Sequence, residues 1–332
     1  MDTPQQSPGP SPTPSAATAD PAAAAFDETT FAAWVGRTEV VEDDLSPSQA
    51  ASVAAMLDRD GLPLRSGDPL PMLWHWFHFL PRAPQARLDV DGHPQRGGFL
   101  PPIPLPRRMF AGSRVTRHQP LRIGMPATRT GEVTGIRRKV GSSGTLAFVT
   151  VRYVIVQGAV TCIEEVQDIV YREPGRPVPA PVPAPWPALP AGATVRELVP
   201  DTRLLFRFSA LTFNAHRIHY DRPYAMQEEG YPGLVVHGPL TAVLLADLVE
   251  HQLGQPLGAF RFRGVRPLFD GWPVRLVSAP GEGGSVALTA YAADGAVAIE
   301  ATGVVGQQGP ATDHSVVVGP IVPRTSASRS AP

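Results

Sequence analysis

The chain has 332 residues, enough for two ordinary domains. Hydrophobic residues make up 43% and charged residues 18%, the balance of a folded globular protein rather than a disordered or membrane-spanning one. A formal charge of −1 excludes a bulk electrostatic pull toward nucleic acid or an anionic membrane, and the single cysteine, Cys162, excludes an internal disulfide and a Cys-rich metal site.

Residues 1–25 are rich in Pro, Ser, Thr and Ala, with no basic region and no apolar core, so they read as a disordered tail and not a targeting signal. A first domain is expected over 26–173. It opens with Phe31–Gly36 and a polar turn. Then Ser46 as N-cap, Pro47 in the first turn and an Ala-rich run to Leu57 predict a short helix. The aromatic stripe Leu73–Phe79 reads as core, with His75 and His78 structural. Four β-rich runs follow, near 113–119, 125–139, 145–156 and 159–171, with a hairpin turn at Gln157-Gly158 and Arg137-Arg138-Lys139 placed in a turn. Cys162 lies in one of them and reads as an inert core residue.

Alternating prolines from Pro174 to Pro187 predict a semi-rigid extended linker over 174–193. A second domain, 194–306, repeats the order of the first. A strand near Thr194–Leu198 leads into a polar–apolar stretch and a run of histidines. A helix from Gly238 to Gln252 precedes strands near 259–266, 273–279, 285–292 and 297–305. Residues 307–332 read as a second tail. The apolar run Leu240–Leu248 is far short of the roughly 20 residues that span a bilayer. Helix and twisted antiparallel sheet, seen twice, is an α+β layout and suggests a tandem duplication.

The chemistry gathers in the second domain, where four of the nine histidines fall between His216 and His251. His216, His219 and Asp221 lack an evident third partner and surrounding shell for a metal, so no metal site is expected. The run Tyr231-Pro-Gly-Leu-Val-Val-His-Gly-Pro-Leu240 starts a helix. Pro239 suits its first turn, Gly238 lets a ligand approach the backbone, and the free N–H groups there suit an oxygen gaining negative charge.

On these residues, Asn214-Ala-His-Arg-Ile-His-Tyr-Asp221 and Val236-His-Gly-Pro239, the chain resembles the MaoC-like (R)-specific enoyl-CoA hydratases. The resemblance implies a tandem hot-dog fold, each unit a long helix wrapped by an antiparallel sheet. The first unit would be degenerate and the second catalytic. It also implies the motif Asp-x-Asn-Pro-x-His, which places Asn214 at the catalytic Asp, His216 at the Asn, Arg217 at the Pro and His219 at the catalytic His. Gly238 would supply an N–H to the oxyanion. Asn214 cannot accept a proton at neutral pH, although its amide can orient water. The expectation is therefore that His219 is the principal acid/base and Asn214 positions water, with Asp221 orienting His219 or standing in for the missing carboxylate.

The variant motif, together with Asp91-Gly-His-Pro-Gln-Arg-Gly-Gly-Phe99, is similar to a narrower branch, the two-domain mesaconyl-C4-CoA hydratases. That branch implies an acyl-CoA substrate ending in a carboxylate, with no cofactor beyond the substrate's own CoA; the lone cysteine fits a reducing cytoplasm, and two hot-dog units in one chain allow a monomer or a homodimer. Itaconyl-CoA is a related substrate to consider. Arg107, Arg108 and Arg217 are candidates to grip the carboxylate, Arg263 to meet the CoA phosphates, and His216 and His237 to line the substrate. Two rivals stand beside this reading: a hot-dog thioesterase, disfavoured because Asp247 and Glu250 fall late on the helix, and a non-catalytic acyl-thioester-binding subunit.

Overall fold

The computed structural model describes residues 28–306 apart from 63, 142–143 and 255. Both expected tails lie outside these residues. Among the described residues ten strands form one antiparallel sheet. The first half contributes β1 (Thr38–Asp43), β2 (Arg107–Arg117), β3 (Ala127–Gly141), β4 (Gly144–Gln157) and β5 (Val160–Arg172). The second contributes β6 (Thr194–Leu198), β7 (Leu257–Gly264), β8 (Val274–Pro280), β9 (Ser285–Tyr291) and β10 (Val297–Val305). Their order is β1-β3-β4-β5-β2-β7-β10-β9-β8-β6. The halves are stitched together in the middle, Gly112 to Thr116 of β2 against Ala259 to Arg263 of β7.

Glycine is required at that seam. A Cβ on Gly112 would lie 2.4 Å from the Phe262 carbonyl oxygen. Beside it, the β2–β5 register shifts between Phe110 and Gly112, a bulge that bends β2 where it passes the second half's helix.

Helix α1 (Pro47–Met56) begins at its proline, as expected, and α2 (Thr202–Leu211) is capped by the Asp201 carboxylate accepting from Leu204 N–H at 2.9 Å. Helix α3 (Gly238–Leu253) is buried nearly all round: Leu240 to Ala246, Leu248 and Val249 are enclosed by β7 to β10 and the edge of β2. An all-round apolar helix of this length needs cover on every side, and the curved sheet supplies it. The second half thus has the long wrapped helix that the resemblance implies. The first half's helix is short, as its sequence predicted: α1 has ten residues and stops where Asp58 turns left-handed (φ 55°), just before Gly61. The basic run Arg137–Lys139 differs from expectation, lying within β3 opposite Leu146 to Phe148 instead of in a turn. The β4–β5 hairpin does turn at Gly158 (φ 59°).

The proline-rich stretch 174–193 carries no regular helix or strand and is held against the second half. Val178 N–H donates to the Gly230 carbonyl (2.8 Å) and Ala184 N–H to that of Ala293 (3.0 Å). The Trp186 indole donates to Ala292 and lies under the Arg275 guanidinium. The linker is a strap, not a free spacer. No helix among the described residues is long and apolar enough to cross a membrane.

Candidate active site

Backbone turns, not a regular element, present the histidines. After α2, Phe213 takes a left-handed conformation (φ 50°) and Asn214 N–H returns to the Ser209 carbonyl (2.8 Å), closing the helix end. The Asn214 side-chain oxygen then accepts from His216 N–H at 3.0 Å, an Asx turn that leaves the amide NH2 of Asn214 for other partners. A single 3-10 turn, Arg217–His219, brings the His219 ring into the interior.

There His219 Nδ1 donates to the Val235 carbonyl at 2.7 Å, which fixes the tautomer and leaves the Nε2 lone pair available. Val235 is itself held by its N–H to the Ile218 carbonyl and by a bridge to Phe269. The His219 ring stacks on His237, centroids 3.6 Å apart, and His237 shares a 2.9 Å hydrogen bond with the Ser209 hydroxyl. Burial pushes the His219 pKa down to about 4, and lowers those of His237 and His216 as well, so all three imidazoles are neutral at pH 7.

His237 caps α3 without a side-chain hydrogen bond. The first internal bond of that helix runs from Thr241 N–H to the His237 carbonyl (3.2 Å), and Pro239 has no N–H. The N–H groups of Gly238 and Leu240 therefore open the helix, one residue from the ring stacked on His219. A Cβ on Gly238 would have nothing nearer than the Phe110 carbonyl, 3.9 Å away at the β2 bulge. The space over this helix start is clear.

Asp221 is placed differently from the sequence expectation of orienting His219. Its carboxylate accepts from Arg217 (2.8 and 3.0 Å) and from Tyr224 N–H (3.1 Å), where it caps the turn Tyr224–Glu228. The guanidinium and that N–H hold its carboxyl below the usual range, while the Val235 carbonyl does the orienting of His219.

Of the four candidate arginines, three are already engaged. Arg107 pairs with Glu229 at 2.9 Å, Arg217 with Asp221, and Arg263 with Glu300 on the outer face of β7, opposite Phe262. The Arg108 guanidinium, half-buried, has no hydrogen-bond or ion-pair partner among the described residues. Its charge depresses the pKa of both His93 and His216, which places it beside them. His75 and His78 are tied to Glu165 (2.9 Å) and Asp43 (3.1 Å), in keeping with structural roles.

Sequence reasoning did not single out Asp91 and His93 as site residues. They arrive from the first half in a loop pressed onto the Asn214–His219 run. Arg217 N–H donates to the Asp91 carbonyl (2.8 Å) and Arg217 Nη1 to that of Val90 (3.1 Å). The Asp91 carboxylate accepts from both the backbone N–H and Nδ1 of His93, each at 2.9 Å. The His93 ring lies 3.9 Å from that of His216, which meets His219 edge-on at 5.3 Å. Gly92, at φ +90° between the two polar residues, was the one local signal of a tight turn. Asp91, His93 and His216 bring one ligand-type atom each within 4.8 Å of the others. Asp91 and His93 spend their facing atoms on each other, however, and the cationic Arg108 lies alongside, so the group reads as a hydrogen-bonded acid–imidazole pair and not a cation site.

Residues 73–270 match the family model described as hydroxyacyl-thioester dehydratase type 2. The chain is 60% identical over 270 residues to the mesaconyl-C(4)-CoA hydratase of Chloroflexus aurantiacus, a span of 81% of this chain and 96% of that relative. It is 39% identical over 80 residues to the mitochondrial hydroxyacyl-thioester dehydratase type 2 of Schizosaccharomyces pombe, 23% of this chain and 27% of that one. Among solved structures, a MaoC-like dehydratase superposes with a TM-score of 0.63 at 16% identity, covering 82% of this chain and 98% of the other. A double hot-dog protein of Mycobacterium tuberculosis follows at 0.53 and 13%, covering 81% and 95%; at such identities these likenesses speak to fold alone. The chain therefore belongs to the hydroxyacyl-thioester dehydratase type 2 family, a hydro-lyase on a double hot-dog fold.

Proposed function

We propose that this enzyme hydrates mesaconyl-C4-CoA, or a closely related enoyl-CoA ending in a carboxylate, at the His219–Gly238 site. The observation that carries the site is the Nε2 lone pair of a buried, neutral His219, its Nδ1 locked on the Val235 carbonyl, stacked against the residue that opens α3. Identity of 60% to a mesaconyl-C(4)-CoA hydratase supports the substrate class.

In this reading the thioester carbonyl meets the N–H of Gly238. Water is held between His219 Nε2 and the free amide NH2 of Asn214. Its oxygen bonds to the β-carbon and its proton leaves to an imidazole. The C=C electron pair moves onto the carbonyl oxygen as an enolate, and the α-carbon then takes a proton as the enolate collapses. The positive end of α3 favours the enolate because its N–H groups are fixed before charge develops. The unpaired Arg108 is the guanidinium best placed to receive the distal carboxylate. CoA enters as part of the substrate and no resident cofactor is invoked. A cytoplasmic location suits the single, buried Cys162.

Loss of enoyl-thioester absorbance, with the hydrated product identified by mass, tests the reaction. His219→Ala is expected to lower kcat by about 10²–10⁴-fold. Release of free thiol without hydration would instead make the chain a thioesterase.

A further inference from the structure

Adding water across a polarised C=C bond requires an imidazole that can hold a proton midway through the reaction. His219 is poorly suited to do so alone. It is enclosed, its Nδ1–H ends on a neutral carbonyl, and among the described residues no carboxylate touches its ring. Position 214, at the start of the histidine run, carries an amide and not a carboxylate. Asp221 does not supply one, being committed to Arg217.

The carboxylate nearest the histidine cluster comes instead from the other half of the molecule. We propose that Asp91 and His93 form the site's carboxylate–imidazole pair, with His93 a second catalytic residue supplied by the first hot-dog unit. The proposal rests on the hydratase reading above. His93 Nδ1 donates to Asp91 at 2.9 Å, which leaves its Nε2 as an acceptor. Its ring lies against His216, itself in contact with His219. The loop that carries it is bonded to the catalytic run at Arg217, and Gly92 is so close to Ala215 that no side chain fits between them.

In the hydration direction His93 takes the proton of the water whose second hydrogen is held by His219. The water oxygen bonds to the β-carbon and the C=C pair moves to the thioester oxygen. The His93 imidazolium, facing the Asp91 carboxylate, then returns that proton to the α-carbon as the enolate re-forms the carbonyl. One hydrogen and one hydroxyl are added, and the pair ends as it began. Dehydration runs the same path backward.

The charged and titratable groups facing this pair come from three places. Arg96 lies on its own segment and Arg108 on β2; His216, His219 and Tyr224 come from the second half. Burial and Arg108 push His93 toward its neutral form, as a base requires, while Asp91 favours the imidazolium. Removing the Asp91 charge therefore lowers the His93 pKa. The acid limb of kcat, where the base becomes protonated, moves to lower pH.

The test compares His93→Gln and the near-isosteric Asp91→Asn with the wild type on one enoyl-CoA, following kcat, KM and pH. His93→Gln is expected to lose roughly 10²–10⁴-fold in kcat with KM within about threefold. Asp91→Asn is expected to lose roughly 10-fold or more, with its acid limb displaced downward. A His93→Gln enzyme with nearly wild-type kcat, or an Asp91→Asn enzyme whose acid limb stays in place, overturns the proposal. A wild-type enzyme that hydrates no enoyl-CoA overturns the underlying reading instead, so the two failures are distinct.

Discussion

Gly92 offers the sharpest mechanical test of whether the two halves build one site. A Cβ at this position would lie 1.8 Å from the Ala215 carbonyl oxygen and 2.7 Å from its carbon. Ordinary C···O contact is about 3.3 Å, so Gly92→Ala must open the junction by roughly 1.5 Å. Neither side yields easily. The Val90 and Asp91 carbonyls both accept from Arg217, and the turn is closed by Gly92 N–H to the Asp89 carbonyl (2.9 Å) and Asp89 N–H to that of His93 (2.7 Å). The backbone at φ +90° adds about 1–3 kcal/mol for any side chain. A misplacement of about 1 Å in a catalytic constellation costs on the order of 10² in rate. Gly92→Ala is therefore expected to lower kcat about 100-fold while α3 and its core stay intact. Continuous enoyl-thioester hydration assays, with circular dichroism as the control for folding, read both effects. A folded Gly92→Ala enzyme with full kcat would refute the idea that this loop is part of the site.

Two further predictions concern charge. Unfolded histidine binds protons from about pH 6.5 downward, whereas folded His219 resists them until about pH 4. Stability is thus complete above pH 6.5 and falls as pH drops toward 4, by about 3 kcal/mol from this group at the limit. Urea unfolding at pH 7 and pH 5 should show that fall, smaller by about 2 kcal/mol in His219→Gln; equal pH dependence in both proteins counts against a buried neutral ring. Arg108→Gln should lower kcat/KM for a carboxylate-bearing enoyl-CoA by about 100-fold, the usual effect of losing one partner of a charged pair, yet leave crotonyl-CoA within a few fold. Equal losses on both substrates would move Arg108 from specificity to catalysis.

What the sequence made legible was local. Alternation marked the strands from β2 onward to within a few residues in most cases. Pro239 and the apolar stretch after it marked α3, and Gly158 marked the β4–β5 hairpin. Edge strand β1, Thr-Glu-Val-Val-Glu-Asp, was obscured because half its residues are acidic and its one inward side is only half-buried. Helix α2 was missed although Asp201 and the spacing of Leu204, Leu205 and Phe208 carried its signal. In the candidate site, the pairing of His219 with the start of α3 was readable because the two lie close in sequence. Asp91 and His93 were not, because their meaning depends on a contact with His216 across the seam between the two halves. A single chain holds no record of such a pairing until the β2–β7 seam is built.

On the proposed function, the substrate's distal carboxylate accounts for Asn rather than Asp at position 214. A carboxylate at 214 would face a ligand that brings a second carboxylate. Two anions about 6 Å apart in a medium of effective dielectric near 20 repel by about 3 kcal/mol, close to 100-fold in affinity. Asn214 removes that repulsion and keeps both the Asx turn, through its oxygen, and a donor to water, through its nitrogen. The Asp91 carboxylate avoids the same penalty because it accepts from both the backbone N–H and Nδ1 of His93. Asn214→Asp preserves the turn, so it isolates the charge. It is expected to cost about 100-fold in kcat/KM on a carboxylate-bearing enoyl-CoA, chiefly through KM, and little on a neutral one. If Asn214→Asp weakened both substrates alike, the amide would be needed for water itself; if it weakened neither, the distal carboxylate would bind elsewhere in the cleft.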